Sequence, residues 1–201
     1  MKKISYIVMI LSFAIIFSGC GGSGLSLNTI KGNELEKSQL LTKESSIYLV
    51  NGGDGMKKTY LSAVTSSEEK AIESGLSAIN IANTELRTIT PYVILENKVI
   101  TEKEAIENAK LNKSDYVIYS RVEKWTDPLG INCHEYYRDE STVLLSLYST
   151  KDDKLLNTTR LFASDCPATL NGIPLSTGSP ESLYEDLFSM WIKNHFLVTS
   201  K

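Results

Sequence analysis

Clustered positive charge is missing from this chain. Its 21 Lys and Arg face 24 Asp and Glu, a net charge near −3, and no basic run is long enough to track a phosphate backbone. Nucleic acid, whose readers concentrate Lys and Arg on one face, is therefore not an expected partner. Histidine is scarce at two residues, so acid–base chemistry has few of its usual carriers. With 5 Pro and 12 Gly, collagen-like and low-complexity classes are excluded. What remains, at 201 residues with 42% hydrophobic and 22% charged, is the composition of one ordinary globular domain.

Long apolar runs are also absent, with one exception at the amino end. Lys2 and Lys3 precede an apolar stretch from Ile4 to Phe17, broken by Ser5, Tyr6 and Ser12, and Ser18-Gly19-Cys20 closes it. A positive start, a stretch too short to span a bilayer comfortably and a small-residue exit describe an export signal over residues 1–19. The segment resembles a bacterial lipoprotein signal, which implies diacylation of Cys20 as the new first residue. Phe17 stands where such signals usually carry Leu. The competing reading is a plain secretory signal with an incidental cysteine.

Several acyl chains on Cys20 would bury many methylenes at roughly 0.8 kcal/mol each, enough for stable anchoring. Gly21 follows the cysteine, where Asp would resemble an inner-membrane retention signal, so the expected address is the periplasmic face of a Gram-negative outer membrane. Losing the signal leaves 19 basic against 24 acidic side chains, a surface poorly suited to lie flat on anionic lipid. Residues 20–44 show no sustained periodicity and are expected to be a flexible tether, with the periplasmic domain over 45–201.

Cysteine is scarce too. With Cys20 lipidated, Cys133 and Cys166 remain, and in an oxidising compartment they read as a disulfide closing about 34 residues, worth roughly 2–4 kcal/mol. A metal reading would add His134 and Asp165 to the two thiols, but the ligand spacing of zinc sites is missing.

Along the domain, Ser46–Asn51 reads as a strand stopped by Gly52-Gly53-Asp54-Gly55. Ser66 and Glu69 have capping-box spacing ahead of Ile72, Gly75, Leu76 and Ile79, which predicts a helix ending near Asn83. Leu86–Leu95 is expected as a strand bent by Pro91, Thr101/Glu104 as the cap of a short helix, and Asp115–Trp125 as a third strand. After a loop, Thr142–Thr150 and Leu155–Ala163 form strands around the turn Lys151–Lys154. Ser179-Pro180 opens a last helix whose apolar face is Leu183, Leu187, Met190 and Trp191. The order β-α-β-α-β-β-β-α predicts a single α/β domain with a mixed sheet, parallel in its first half and an antiparallel meander in its second.

These residues resemble a family. Asp115-Tyr116-Val117-Ile118 running into Trp125-x-Asp127, the Asp54-Gly55 turn with Tyr60 beyond it, the Lys151–Lys154 hairpin turn and Pro180-Glu181-x-Leu183 are similar to the small bacterial lipoproteins grouped as domain of unknown function 4823. The family's Ser-Gly element after the Tyr is replaced here by Leu61-Ser62-Ala63. The resemblance implies a lipoprotein domain with no assigned activity. The element order is also similar to the amino-terminal domain of the Tol-system propeller protein and to lipoproteins that activate penicillin-binding proteins.

Residues with chemistry are few. Gly52–Thr59 lacks the glycine that a phosphate-binding loop needs before its lysine, and Asp54 puts negative charge where a phosphate would sit. His195, near the end of the last helix, reads as a cation facing the helix dipole or as a structural residue, and His134 lies in a loop. No nucleophile elbow or metal-protease motif is present, so the expectation is a protein that is not an enzyme, with no cofactor beyond the lipid on Cys20.

Asp54, Gly55, Trp125 and Asp127 fall where strands of the sheet end, and Tyr136 and Tyr137 add aromatics beside them. This is the candidate surface for an envelope protein partner. An alternative is a small-ligand cleft beside Asp54, Trp125 and Asp127, and the bland reading makes Trp125 a cap on the core.

Overall fold

The computed structural model describes residues 24–32, 35, 40–60, 66–127, 138–165, 169–170, 173–174 and 178–197. Cys20, Cys133, His134, Tyr136, Tyr137 and Cys166 lie outside the described residues, and with them the lipidation site, the disulfide, the metal reading and part of the partner surface.

A mixed sheet of eight strands carries helices on both faces. Its centre is β2 (Ile47–Asn51), whose five residues are all buried, because both of its faces are covered. It runs parallel to β5 (Val93–Glu96) on one side and to β6 (Tyr116–Thr126) on the other. The crossovers are α1 (Ser74–Arg87) and α2 (Glu102–Leu111). From β6 the chain turns antiparallel through β7 (Asp139–Ser149) and β8 (Lys154–Asp165), the expected meander. With the edge strand β1 (Gly24–Gly32), the order across the sheet is β1-β8-β7-β6-β2-β5, so the α/β class and the division into parallel and antiparallel halves stand.

One face of the sheet packs on α1 and α3 (Pro180–His195). There Leu49, Ile118, Leu145 and Leu161 meet Ile79 and Leu86 of α1 and Leu187, Phe188 and Trp191 of α3. The other face carries α2 over a smaller cluster of Tyr48, Val50, Val117, Tyr119 and Tyr148 with Ala105 and Ala109. Tyrosines serve here because their rings pack while their hydroxyls reach acceptors: Tyr148 donates to Glu102 at 2.6 Å and Tyr119 to the Ile100 carbonyl at 2.9 Å.

Four expectations change. Residues 24–32, read as tether, form the nine-residue edge strand β1, antiparallel to β8 from Gly24 opposite Ser164 to Gly32 opposite Asn157. Leu27 packs on the main core, and Leu41 is fully buried with its N–H donating to the His195 carbonyl at 2.9 Å. Among the described residues, packed structure therefore reaches back to Gly24, into the segment read as tether.

Ser66 and Glu69 do not cap a helix. They lie in β4 (Ser66–Lys70), which forms a hairpin with β3 (Met56–Tyr60), where Glu69 pairs with Lys57 at 3.2 Å and accepts from Thr59 at 2.6 Å. Consequently α1 starts later, at Ser74, and Ile72 is left 81% exposed. The helix also runs on to Arg87, so Leu86 is a core helix residue and the following strand shrinks to Val93–Glu96. On α3, Leu183, Leu187 and Trp191 are buried as expected, but Met190 is half-exposed and Tyr184, Phe188 and Ile192 complete the face.

The other caps hold as read. Thr101 and Glu104 satisfy each other's backbone N–H groups, and Ser179 with Ser182 does the same ahead of Pro180. Among the described residues no helix is long and apolar enough to cross a membrane.

Candidate functional site

The predicted residues lie toward the carboxyl ends of the parallel strands but not at one level: Asn51, the last residue of β2, pairs with Ser120, and β6 runs on to Thr126. Asp54 and Gly55 follow β2, while Trp125 and Asp127 close β6. The amino ends of α1 and α3 arrive at the same end, and so do Gly24, Glu140 and Ser164 through the registers of β1, β7 and β8.

Asp54 is committed to the scaffold. Its Oδ1 accepts from the Gly75 N–H at 3.0 Å, and Oδ2 lies 3.5 Å from the Lys70 ammonium. The residue before α1, Glu73, offers no side-chain cap, so the Asp54 carboxylate supplies the negative charge that a helix amino end favours. It occupies the place a phosphate would need, as the sequence suggested. Gly75 is required for this approach, because a Cβ there would stand 2.5 Å from Asn51 Oδ1 and 2.9 Å from Gly53 backbone. Gly55 is buried, with the Ser74 hydroxyl accepting from its N–H at 3.1 Å, and a Cβ there would lie 2.7 Å from the Glu123 carbonyl carbon.

Trp125 belongs to the core. It is 7% exposed, its ring lies 5.9 Å from that of Tyr184, and its indole N–H donates to Glu181 at 3.0 Å. Of the predicted surface residues that are described, Asp127 is the exposed one. Gly55 and Trp125 are therefore corrected from contact residues to packing residues, the latter because a large ring at a strand end gains more from burial than from solvent.

The sequence reading missed Asp139. It is 3% exposed, pairs in register with Asp165 across β7 and β8, and leaves no room for a side chain at Gly178. Burial first, then the negative charges of Asp127, Asp165 and Glu181, push its carboxyl up to about 6. The protonated form donates to Asp127, which adds to the same direction. This is an acidic pole assembled from three strands and a helix. Among the described residues no group of three or more His, Cys, Asp or Glu is placed to hold a metal ion.

The last turn of α3, at its opposite end, carries an exposed Lys193 and a buried His195. His195 is 6% exposed, its ring stacks on Trp191 at 4.1 Å, and its Nδ1 donates to the Trp191 carbonyl at 2.8 Å. Burial lowers its pKa from the ordinary value, against the opposing hydrogen bond to Trp191. Attraction to a helix dipole is worth up to about 2 kcal/mol, while full burial shifts a histidine by more than that, so desolvation wins and the ring is neutral. The reading of His195 as a cation facing the dipole is thereby corrected.

Cavities among the described residues include two with largely polar linings. One, of about 510 Å³, lies between the 42–45 segment and the turn after β7, over Tyr116, Asp115 and Asp152. The other, of about 310 Å³, lies between β1, β8 and the end of α3. Asp54, Trp125 and Asp127 line neither, so the small-ligand cleft expected beside them has no counterpart in these two.

No family model matches the sequence, and no curated protein matches it. Solved structures do. A crystallised dodecamer of PelC from Paraburkholderia phytofirmans aligns with 86% of this chain and 99% of its own, at 14% identity and a TM-score of 0.55. A single-substitution variant of the same protein aligns with 85% of this chain and 97% of its own, at 16% identity and 0.56. The LpoB C-terminal domain from Salmonella enterica covers 61% of this chain and 84% of its own, at 14% identity and 0.37. The PelC likeness is one of fold.

Proposed function

We propose that this chain is a lipid-anchored envelope protein, acylated at Cys20 and held on the periplasmic face of the outer membrane, where it serves without catalysis or cofactor as an accessory subunit of a larger assembly. The observation that carries the reading is a short distance in sequence. The lipobox-like Ser18-Gly19-Cys20 is followed four residues later by Gly24, the first residue of β1. Four residues reach at most about 14 Å. An acylated Cys20 would therefore hold the domain close against the bilayer, standing on the end of the sheet where Gly24 lies. That end is the acidic pole of Asp127, Asp139, Asp165 and Glu181.

This orientation moves the partner surface. The end around Asp54 and Asp127 faces the lipid, and the turn at residues 150–153 with Glu44 and Asp115 faces the periplasm. The partner is a protein of the envelope. The fold shared with PelC, crystallised as a dodecamer, makes a second copy of this chain one of the partners to look for.

Two measurements test it. In envelope fractions, Cys20→Ser should move the protein from membrane to soluble fraction, and unchanged retention overturns the anchor. A photo-crosslinker at Lys151 should capture protein and one at Asp127 should capture lipid. The reverse pattern overturns the orientation while leaving the anchor intact.

A further inference from the structure

The cavity between β1, β8 and the carboxyl end of α3 is walled on one side by Leu27 and Leu35, with Asn157, Thr159, Asn194 and His195 as its principal polar lining. Its volume of about 310 Å³ is that of a small-molecule site.

The hydrogen bonds fix how those polar groups are arranged. The Trp191 carbonyl can only accept, so His195 Nδ1 carries the proton that reaches it. In the neutral ring Nε2 is then an acceptor, and the Asn157 side chain, 2.9 Å away, must turn its NH2 toward it. Asn157 Oδ1 is left facing elsewhere. It is buried and has no hydrogen-bond partner among the described residues, and the same holds for Thr159 Oγ1. The two side chains are 1% and 2% exposed. An unpaired buried polar group costs about 1–3 kcal/mol, and both atoms are closed off from the cavity in this conformation; a ligand bearing hydroxyl donors offsets that cost by drawing the two side chains round, exchanging the Asn157–His195 bond for bonds to the ligand.

The lining also restricts the ligand's charge. Among the described residues the leucines, threonines, asparagines and neutral histidine of the lining offer no counter-ion, so an anion or cation would be desolvated without a partner there. A purely apolar guest would leave the amides unpaired. A molecule with an apolar ring face for Leu27 and Leu35, and hydroxyls around its edge for Asn157, Thr159 and Asn194, satisfies both walls.

We propose that this cavity is a binding site for a neutral polyhydroxylated ring, of the size of a single sugar. The site is separate from the anchor and from the partner surface, so it stands or falls independently of them.

The test uses the full-length, isotope-labelled protein in a zwitterionic detergent that carries no sugar headgroup. Glucose, glucosamine and glucuronate, which share a ring and differ in charge, are titrated while the side-chain amide signals of Asn157 and Asn194 are followed. Glucose should shift both saturably with millimolar affinity, and the two charged rings should bind at least about tenfold more weakly. Asn194→Ala, at an exposed position that leaves the core intact, should weaken glucose by about fivefold or more, and Asn157→Ala should abolish the response. The absence of a saturable shift at about 50 mM glucose would mean a cavity that holds solvent only and would overturn the proposal. Equal affinity for the three rings, or indifference to Asn194→Ala, would overturn it as well.

Discussion

At its amino end α3 meets a carboxyl whose proton is held more tightly than in water, and at its carboxyl end an imidazole whose proton is held less tightly. Asp139 sits among Asp127, Asp165 and Glu181, and His195 sits on Trp191 beside an amide. Between them the aromatic rings of Tyr184, Phe188 and Trp191 follow one another along the helix, with centroids 5.7 and 5.4 Å apart. In both places burial disfavours the charged form, so the same cause raises an acid and lowers a base. The difference lies in the neighbours: added negative charge reinforces the effect at Asp139, while one hydrogen bond opposes it at His195.

The comparison can be broken first at the stack between the two ends. Trp191→Ala removes a fully buried ring and should cost about 3–5 kcal/mol in urea unfolding, whereas Trp125→Phe keeps most of its packing and should cost about 1–2 kcal/mol. Equal costs would mean that trimming Trp125 and its bond to Glu181 matters as much as deleting the whole Trp191 ring.

The proton affinities give opposite signs. Asp139 binds its proton more tightly when folded, so stability is fully present below the ordinary carboxyl range and is lost as pH rises through about 6. Asp139→Asn should therefore stabilise the protein by about 1–2 kcal/mol at pH 7.5, with the gain vanishing near pH 4, as read from urea midpoints at both values. His195 binds its proton less tightly when folded, so its contribution is present above the ordinary histidine value and is lost as pH falls below it. Relative to the parent chain, His195→Phe should gain stability as pH falls from about 6.5 to 5, because the cost of charging the buried ring is removed while the Asp139 contribution is kept. An unchanged pH dependence in the variant would mean that His195 contributes nothing to it.

The smallest effect sharpens the comparison most. Glu181→Gln keeps an acceptor for the Trp125 indole but removes one of the charges acting on Asp139. The Asp139 carboxyl should titrate lower by roughly half a unit in carbon-detected NMR. No change would leave burial and the two other aspartates as its whole cause.

Features written in neighbouring residues were legible in the sequence. The Thr101/Glu104 and Ser179-Pro180 caps, the β7–β8 hairpin and the parallel strands rest on local chemistry and simple periodicity. Features that depend on distant partners were not. β1 carries scattered leucines among polar residues and is bounded by glycine, and it is a strand because β8 offers an open edge and the core accepts Leu27. The β3–β4 hairpin alternates no apolar residues, and its lysines and glutamates reveal the pairing only once they face each other. α1 takes its cap from Asp54, two strands earlier in the chain. Asp139 and His195 each look like ordinary residues until β8, α3 and the Leu41 segment close over them.

Amide hydrogen exchange across residues 24–32 in the membrane-bound protein tests the account at its base, because the anchored end follows from β1 being part of the sheet. The account predicts slow exchange at alternate positions, those whose N–H groups point to β8, in step with the pairing from Gly24 opposite Ser164 to Gly32 opposite Asn157. Exchange at free-chain rates throughout the nine residues would contradict it: the segment would be a tether, and the domain would be free to turn any face to the membrane.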